Sequence, residues 1–337
     1  MKALVSRHIG GPDSLELADL PDPVPGPGEL LIRVAACAIN YPDVLMIEDK
    51  YQSRPDRPFA PGGEIAGTVA AIGNGVQGWS IGDRVIAVTG HGGLAELARA
   101  PADLAFTLPD GFGVEEGASF LLTFATTLHA LQDRGNLRPG ETLLVLGAAG
   151  GVGLAAIEIG RALGARVIAA VSDSTKADAA RAAGAEHVVI YGRDIDGPDS
   201  AKRLGRQLKE AVGPDGADLI FDPIGGNYCE PAVRALAWGG RYLVIGFAAG
   251  IPKPPLNLIL LKGADLRGVF WGSFAERDPA ANRANVDQLL HWWREGKVRP
   301  RVGRVWPLIE GGQAIAWLGS RAAIGKAVVT INREQEA

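Results

Sequence analysis

The chain has 337 residues, 47% of them hydrophobic, a formal net charge of −4 and two cysteines. This length suits two domains with separate cores. The acidic balance excludes a dedicated nucleic-acid binder, and no apolar run reaches the ~18 residues that a membrane span needs. Two cysteines are too few for a disulfide framework or a four-cysteine zinc lobe. The N-terminus shows no secretory signal, so we expect a cytoplasmic protein.

The first third of the chain has the pattern of a mostly β domain. Short apolar runs such as Leu30–Val34, Ile65–Val69 and Arg84–Val88 are separated by turns rich in glycine, proline and aspartate. Many short strands with dense turn signals are typical of a barrel or a sandwich.

From about residue 123, strands alternate with helices. Strands are predicted at Leu143–Leu146, Arg166–Val171, His187–Ile190, Asp218–Phe221, Arg241–Ile245 and Leu266–Val269. Helices are predicted between them at Leu154–Leu163, Lys176–Ala183, Ser200–Ala211 and Tyr228–Leu236. This alternation predicts a doubly wound, six-stranded parallel sheet.

The last part of the chain breaks the alternation. Helices are expected at Pro279–Trp293 and Glu310–Leu318, followed by a closing strand at Ala327–Ile331. This tail is expected to return to the first domain. The predicted domains are therefore residues 1–122 with 266–337, and residues 123–265.

The segment from Thr142 to Leu163 is a predicted strand, glycine-rich turn and helix, which is the context of a dinucleotide-binding fingerprint. Alanine stands at the first glycine position, followed by Gly150 and Gly153. Gly150 should let the backbone approach a pyrophosphate, and Gly153 should let the helix pack close to the strand. The pyrophosphate is expected to bind the turn and the first backbone N–H groups of the helix. The residues predicted to form this site are Ala149, Gly150, Gly151, Val152 and Gly153.

Further motifs follow one another along the whole chain, at Pro25–Val34, Asn40–Asp43, Pro61–Gly67, Gly82–Val85, Asp222–Gly226 and Gly268–Gly272. Together they resemble the zinc-independent quinone oxidoreductase branch, which includes the zeta-crystallin-like proteins, of the medium-chain dehydrogenase/reductase superfamily. The resemblance implies an α/β protein with a GroES-like, mostly-β catalytic domain and a Rossmann domain. It also implies a homodimer, in which Leu256–Leu261 and the strand ending at Phe270 would pair two sheets.

Zinc-dependent relatives place a cysteine where this chain has Asn40 and a histidine where it has Gly63. Neither replacement supplies a good zinc ligand, so no metal site is predicted. The Lewis acid that polarises an alcohol or aldehyde oxygen would then be missing.

Cofactor choice is expected to depend on the end of the second strand, where an acidic residue would select NAD. Ser172 stands there and leaves room for a 2′-phosphate. In the resembled family, the residues matching Lys176 and Tyr191 hold that phosphate, which implies NADPH, with NADH less favoured. Asp173 would repel the phosphate unless its carboxylate points away or caps the next helix.

The resemblance also assigns residues near the nicotinamide. Thr127 matches a hydroxyl near the nicotinamide ribose, and Gly246 and Phe247 would form a wall of the pocket. Phe270 and Trp271 follow the sixth strand, at the carboxyl edge where ligands bind in open α/β sheets. Trp271 fits either a pocket wall or dimer packing.

Hydride transfer to a quinone needs little acid–base equipment, because the cofactor carries the chemistry. Asn40 and Tyr51 are expected at the cleft, where they would orient the acceptor oxygen, and water could supply the proton. Asp43 is expected to stabilise its loop or cap a helix. Ser320–Lys326 resembles the last family segment that returns to the cofactor.

The sequence therefore predicts an NADPH-dependent, zinc-independent oxidoreductase that passes hydride to a small quinone or α,β-unsaturated carbonyl, without a nucleic-acid or membrane partner. Two alternatives stay open. One is an enoyl-thioester or acrylyl-CoA-type reductase on the same fold, and the other is an NADPH-binding structural protein of crystallin type. A hydrolase would depend on Ser80 in Gly78–Gly82, which lacks the strand–turn–helix context of that motif.

Overall fold

The computed structural model describes residues 1–192, 195 and 197–331. The chain divides into two compact units. Unit 1 contains Met1–Leu122 and the C-terminal segment from Pro300, and unit 2 contains Thr123–Arg299.

Strands dominate both ends of the chain, and strands alternate with helices in the middle. Across the described residues the strands are β1 (Lys2–Val5), β2 (Glu16–Asp19), β3 (Glu29–Ile39), β4 (Glu64–Ile72), β5 (Arg84–Val88), β6 (Leu97–Pro101), β7 (Ala105–Thr107), β8 (Thr142–Leu146), β9 (Arg166–Val171), β10 (His187–Ile190), β11 (Ala217–Asp222), β12 (Leu236–Val244), β13 (Asp265–Gly268), β14 (Val302–Pro307) and β15 (Lys326–Thr330).

The α-helices of the same residues are mostly short in unit 1 and longer in unit 2. They are α1 (Tyr41–Ile47), α2 (Val114–Ala118), α3 (Thr126–Leu128), α4 (Gly151–Ala162), α5 (Ser174–Ala182), α6 (Pro198–Val212), α7 (Cys229–Ala235), α8 (Leu256–Lys262), α9 (Trp271–Arg277), α10 (Pro279–Arg294) and α11 (Gly311–Gly319). None of these helices combines the length and apolarity that crossing a membrane requires.

Unit 1 is built around β3, in which 8 of the 11 residues are buried. Its described strands form a sheet in the order β14-β15-β3-β4-β5-β7, with β6 also paired to β3. β3 is antiparallel to β4, β6 and β15, whereas β14 and β15 run parallel. The predicted mostly-β domain is confirmed.

Unit 2 contains the parallel sheet, in the order β10-β9-β8-β11-β12-β13. β8 is buried along its whole length, as expected for a strand covered on both faces. The two halves of the sheet extend outward from the neighbouring strands β8 and β11, so the strand order reverses there. Ligands of such sheets bind beyond the carboxyl ends of the strands at this reversal. The predicted six-stranded parallel sheet is confirmed.

The second domain boundary differs from the predicted one. Residues 266–299 belong to unit 2, because β13 pairs in parallel with β12 and extends that sheet. Asn285 of α10 also donates a 2.8 Å hydrogen bond from Nδ2 to the Asp133 carboxylate of unit 2. Only the chain from Pro300 returns to unit 1, where β15 pairs with β3. The amphipathic pattern of α10 predicts a buried face but not the unit that buries it.

Close packing between α4 and the turn before it requires a glycine. A Cβ atom at Gly153 would lie 2.4 Å from the carbonyl oxygen of Gly147 and 2.8 Å from the Cα atom of Ala148. Both distances are far below van der Waals contact, and both neighbours are backbone atoms that a rotamer change cannot move. Space therefore demands glycine at this position.

We expect Gly153→Ala to lower the free energy of unfolding by about 2 kcal/mol, because the added methyl group must push backbone atoms apart. Gly272→Ala is the matched control, since Gly272 also lies in the first turn of a helix but its Cβ would meet nothing within 4 Å. Urea unfolding of both variants measures the difference. Equal stabilities would show that the turn relaxes without cost.

Candidate active site

The turn between β8 and α4 has the geometry of an anion-binding site. The N–H of Gly150 donates a 3.1 Å bond to Gly147 O, and α4 begins at Gly151. Ala149, within the turn, is buried. A Cβ at Gly150 would meet only the Gly147 oxygen, at 3.6 Å, so the protein leaves the outer side of the turn open. The first N–H groups of a helix lack partners within the helix and favour a phosphate.

Three polar side chains form a cluster at the end of β9. The Asp173 carboxylate caps α5, because its Oδ1 accepts a 3.0 Å bond from the backbone N–H of Lys176. Its other oxygen accepts a 2.9 Å bond from the Ser172 hydroxyl. Lys176 Nζ lies 3.1 Å from the Ser172 hydroxyl oxygen. Asp173 thus acts as a helix cap, one of the two orientations that the sequence left open.

The remaining 2′-phosphate candidate, Tyr191, follows β10. Its ring is 7% exposed and packs edge-on against Tyr228, with the ring centroids 5.2 Å apart. Tyr191 therefore contributes mainly to the core of unit 2.

Thr127 and Val152 lie together in unit 2. The Thr127 hydroxyl is buried and donates to the carbonyl oxygens of Thr123, at 2.7 Å, and Val152, at 3.4 Å. The structure thus places Thr127 against the first turn of α4, with its hydroxyl bonded to the backbone.

Loops after β11 and β12 line the same edge of the sheet. They are held together by backbone bonds from Gly226 N to Gly250 O and from Ala249 N to Ile224 O, both 2.7 Å. Phe247, in the second of these loops and next to Gly246, is 44% exposed. A Cβ at Gly246 would lie 3.2 Å from the Pro223 oxygen.

A buried carboxylate, which the sequence interpretation gave no role, shapes the first of these loops. Asp222 Oδ1 accepts bonds of 2.8 Å and 2.9 Å from the N–H groups of Ile224 and Gly225. Its Oδ2 accepts a 2.5 Å bond from the Tyr242 hydroxyl. Burial raises the pKa of Asp222 and raises that of Tyr242 well above its usual value. The sequence signal for this role was an aspartate at the end of a strand, directly before Pro-Ile-Gly-Gly.

Phe270 and Trp271, adjacent in sequence, have opposite surroundings. The Phe270 ring is 56% exposed, whereas Trp271 is 5% exposed and its indole N–H donates a 3.0 Å bond to Asn282 Oδ1. The Trp271 indole therefore packs inside unit 2, against α10.

The predicted catalytic residue Asn40 lies at the junction of three strands in unit 1. It follows β3 and precedes α1. Asn40 Oδ1 accepts a 2.5 Å bond from Lys326 Nζ, and Asn40 Nδ2 donates to Glu64 Oε2 at 3.0 Å and to Ala38 O at 3.3 Å. Strand register explains the cluster, because β3 pairs Ala38 with Glu64 on one side and Ile39 with Ala327 on the other.

The partners of Asn40 form a buried ion pair. Glu64 is 0% exposed and Lys326 is 4% exposed, with 3.1 Å between Lys326 Nζ and Glu64 Oε2. Glu64 Oε1 also accepts a 2.9 Å bond from the backbone N–H of Leu122. The sequence interpretation named only the segment that contains Lys326, in a cofactor role, and missed Glu64. The available signal was the glutamate directly after Gly62-Gly63.

Asp43 and Tyr51 lie in the same unit. Asp43 accepts bonds from the N–H groups of Asn40, at 2.7 Å, and Gly62, at 2.8 Å. Burial raises the pKa of Asp43 to about 6, although both bonds and Lys326 oppose the shift. Because the folded chain then holds this proton more tightly than the unfolded chain, ionisation of Asp43 costs stability as pH rises from 3.8 to about 6. Burial, aided by the Asp43 charge, raises the pKa of the half-buried Tyr51.

Known proteins share both halves of this arrangement. Residues 26–110 match the family described as alcohol dehydrogenase GroES-like domain, and residues 151–287 match the family described as zinc-binding dehydrogenase. Quinone oxidoreductase-like protein 2 of Bos taurus is 34% identical over 307 residues, which cover 90% of this chain and 86% of the relative. This chain belongs to the zinc-independent quinone oxidoreductase branch of the medium-chain dehydrogenase/reductase superfamily.

Solved structures of this superfamily superpose over nearly the whole chain. A mycobacterial protein complexed with NADPH has a TM-score of 0.90 at 31% identity, covering 98% of this chain and 99% of that one. The Escherichia coli quinone oxidoreductase complexed with NADPH has a TM-score of 0.88 at 26% identity, covering 98% and 100%. These matches show that the mostly-β domain is the predicted GroES-like domain and that the parallel sheet is the predicted Rossmann domain.

The side chains at Asn40 do not fit a zinc ion, although one matching family is described as zinc-binding. Gly63 offers no side chain, and the Asn40 amide oxygen accepts a bond from the Lys326 ammonium. A second cation beside that ammonium would be repelled by it. Among the residues that the structure describes, no group of three or more His, Cys, Asp or Glu side chains is placed to hold a metal.

We expect Asp222→Ala to lower the free energy of unfolding by about 3 kcal/mol, because two N–H groups and a hydroxyl lose their acceptor. Asp222→Asn keeps an oxygen that both N–H groups can bond and removes a buried charge. Its free energy of unfolding should therefore fall by about 1 kcal/mol or less. Urea unfolding of the two variants tests this. Equal losses would contradict a role for the carboxylate in shaping the loop.

Proposed function

We propose that this chain is an NADPH-dependent, zinc-independent oxidoreductase that reduces a quinone or an α,β-unsaturated carbonyl. The observation that carries the proposal is the open glycine turn before α4, where Gly153 is required by close packing. Two structurally similar proteins, each complexed with NADPH, support the choice of cofactor. Quinone oxidoreductase relatives support the choice of acceptor.

Bound NADPH would supply the hydride. The first N–H groups of α4 would bind its pyrophosphate, and the Ser172 hydroxyl with the Lys176 ammonium would bind its 2′-phosphate. Tyr191 would support that corner from the core, and Thr127 would support the first turn of α4.

At the reacting end, Gly246 and Phe247 would form a wall beside the nicotinamide, with Phe270 and Trp271 at the end of the next strand. Asn40 and Tyr51 would contact the reacting groups. No side chain is assigned as a general base, because hydride transfer to a quinone or enone does not require one. Water would supply the proton. The cytoplasmic location stays a prediction.

Turnover with parallel acceptors tests this function. We expect chelator-treated protein to oxidise NADPH with 1,4-benzoquinone or 9,10-phenanthrenequinone, at the same rate as untreated protein. Turnover with crotonyl-CoA alone would move the function to enoyl-thioester reduction. NADPH binding without turnover of any quinone, enone or thioester would favour a structural, crystallin-like role. Activity that chelation abolishes would contradict zinc independence.

Cofactor preference is expected to depend on Lys176. Lys176→Met should raise KM for NADPH at least about tenfold by removing a charge-assisted bond, and should leave KM for NADH nearly unchanged. Asp173→Asn should lower KM for NADPH, because asparagine still caps α5 without the negative charge. Lys202→Met removes an exposed lysine of α6 and serves as control. Equal changes in both KM values for Lys176→Met would reject the assignment.

We also propose a homodimer that joins two parallel sheets at β13, the last strand of the described sheet. Large apolar side chains of β12 and α8, the two elements that precede β13, are exposed, with Trp238 80%, Leu256 66%, Leu260 79% and Leu261 67% exposed. A concentration of exposed apolar side chains in neighbouring elements is typical of a protein interface. A second copy fits best, because an unpaired strand edge accepts an identical edge.

Light scattering should give twice the mass of the chain for the natural protein. Leu260→Asp should produce monomers at micromolar concentration, because it places a charge inside the interface. Ile81→Asp changes an apolar residue of unit 1 that is 73% exposed, and it should leave the mass unchanged. A monomeric natural protein would contradict the proposal.

A further inference from the structure

The Asn40 amide is bonded by groups of opposite charge. An ammonium can only donate hydrogen bonds and an ionised carboxylate can only accept them. Lys326 Nζ therefore requires the oxygen of Asn40 on its side, and Glu64 requires the nitrogen. The orientation of the amide follows from the charges of its neighbours.

Rotating this amide by half a turn would set donor against donor at Lys326 and acceptor against acceptor at Glu64. Both partners are buried, so water cannot relieve either mismatch. The partners are themselves fixed, since Lys326 is bonded to Glu64 and Glu64 is bonded to the N–H of Leu122. Asn40 thus has one stable orientation.

That orientation decides what Asn40 can offer a ligand. Its two N–H groups are engaged by Glu64 Oε2 and by the carbonyl oxygen of Ala38. An amide oxygen has two acceptor sites, and the described partners of Oδ1 use one of them. The partly exposed Asn40 side chain can therefore accept a hydrogen bond without losing one.

We propose that Lys326, together with Glu64, is a positioning residue that sets Asn40 as a hydrogen-bond acceptor toward the ligand. The group that Asn40 binds is then an O–H or N–H donor and not a bare carbonyl oxygen. A hydroxyl or amide of the cofactor has this chemistry, and so does the hydroxyl of a reduced quinone. The inference rests on the proposed function and names the polarity of one of its contacts.

The same residues could instead serve stability alone, since a buried ion pair joins β4 to β15. A double-mutant cycle separates the two roles, because a residue that acts through Asn40 has no further effect once Asn40 is removed. Asn40→Ala keeps the backbone groups through which Asn40 bonds to Asp43, since the Asn40 N–H donates to Asp43 Oδ2 at 2.7 Å and the Asn40 carbonyl oxygen accepts from the Asp43 N–H at 3.0 Å.

We would measure kcat, KM for each substrate and the Kd of NADPH for the natural protein, Asn40→Ala, Lys326→Met and the double variant. Each single variant should lower kcat/KM about tenfold, as small misplacements of bound groups do. The double variant should be no worse than Asn40→Ala. Lys326→Arg should recover much of the loss, whereas Lys2→Met, at an exposed lysine of β1, should behave as the natural protein.

The binding constant that changes in Asn40→Ala identifies the molecule that carries the hydrogen-bond donor. A weaker Kd for NADPH in Asn40→Ala places the donor on the cofactor, and weaker inhibition by the hydroquinone places it on the product. The inference would be overturned if the double variant lost kcat/KM by the product of the two single losses, or if Lys326→Met kept full activity.

Two further outcomes have defined meanings. If Lys326→Met does not fold, Lys326→Gln combined with Glu64→Gln replaces it in the same cycle, since two neutral amides can each donate or accept and no longer dictate the orientation of Asn40. If the natural protein turns over no acceptor, the proposed function fails, and the cycle run on the Kd of NADPH still tests the positioning.

Discussion

The ion pair of Lys326 and Glu64 is the constraint on which unit 1 depends. A buried charge that loses its partner costs about 3–5 kcal/mol, so the strands that carry these two residues cannot separate freely. β15 and β4 both pair with β3, and the pair connects the C-terminal strand to the N-terminal half of the unit. Asn40 sits at the end of β3, where both charges reach its amide.

Carboxylates in both units are used to build loops. Asp43 accepts two backbone N–H groups before and after α1, Asp173 caps α5, and Asp222 holds the turn after β11. Each stands at or near the carboxyl end of a strand, where the chain must turn sharply. The proposed reaction, in which a hydride is transferred and water supplies the proton, would leave such groups available for this structural use.

The replacement of zinc ligands has a physical counterpart in unit 1. Asn40 stands where zinc-dependent relatives carry a cysteine, and its oxygen accepts a bond from an ammonium. A positive charge is therefore present beside Glu64, but it belongs to a side chain that cannot coordinate a substrate oxygen as a Lewis acid does. This arrangement agrees with a substrate whose carbonyl is already electrophilic, such as a quinone or an enone.

The sequence by itself determined the alternation of strands and helices, the parallel sheet and the glycine turn, because these depend on local periodicity and on residues close along the chain. The motifs in their order also determined the family. Only the tertiary structure decided that residues 266–299 join unit 2 and that Trp271 faces inward. An apolar pattern predicts that a face is buried but does not identify the surface it packs against. The contact of Lys326 with Asn40 spans 286 positions. No local pattern encodes it, because it arises from the register of β3 with its two neighbouring strands.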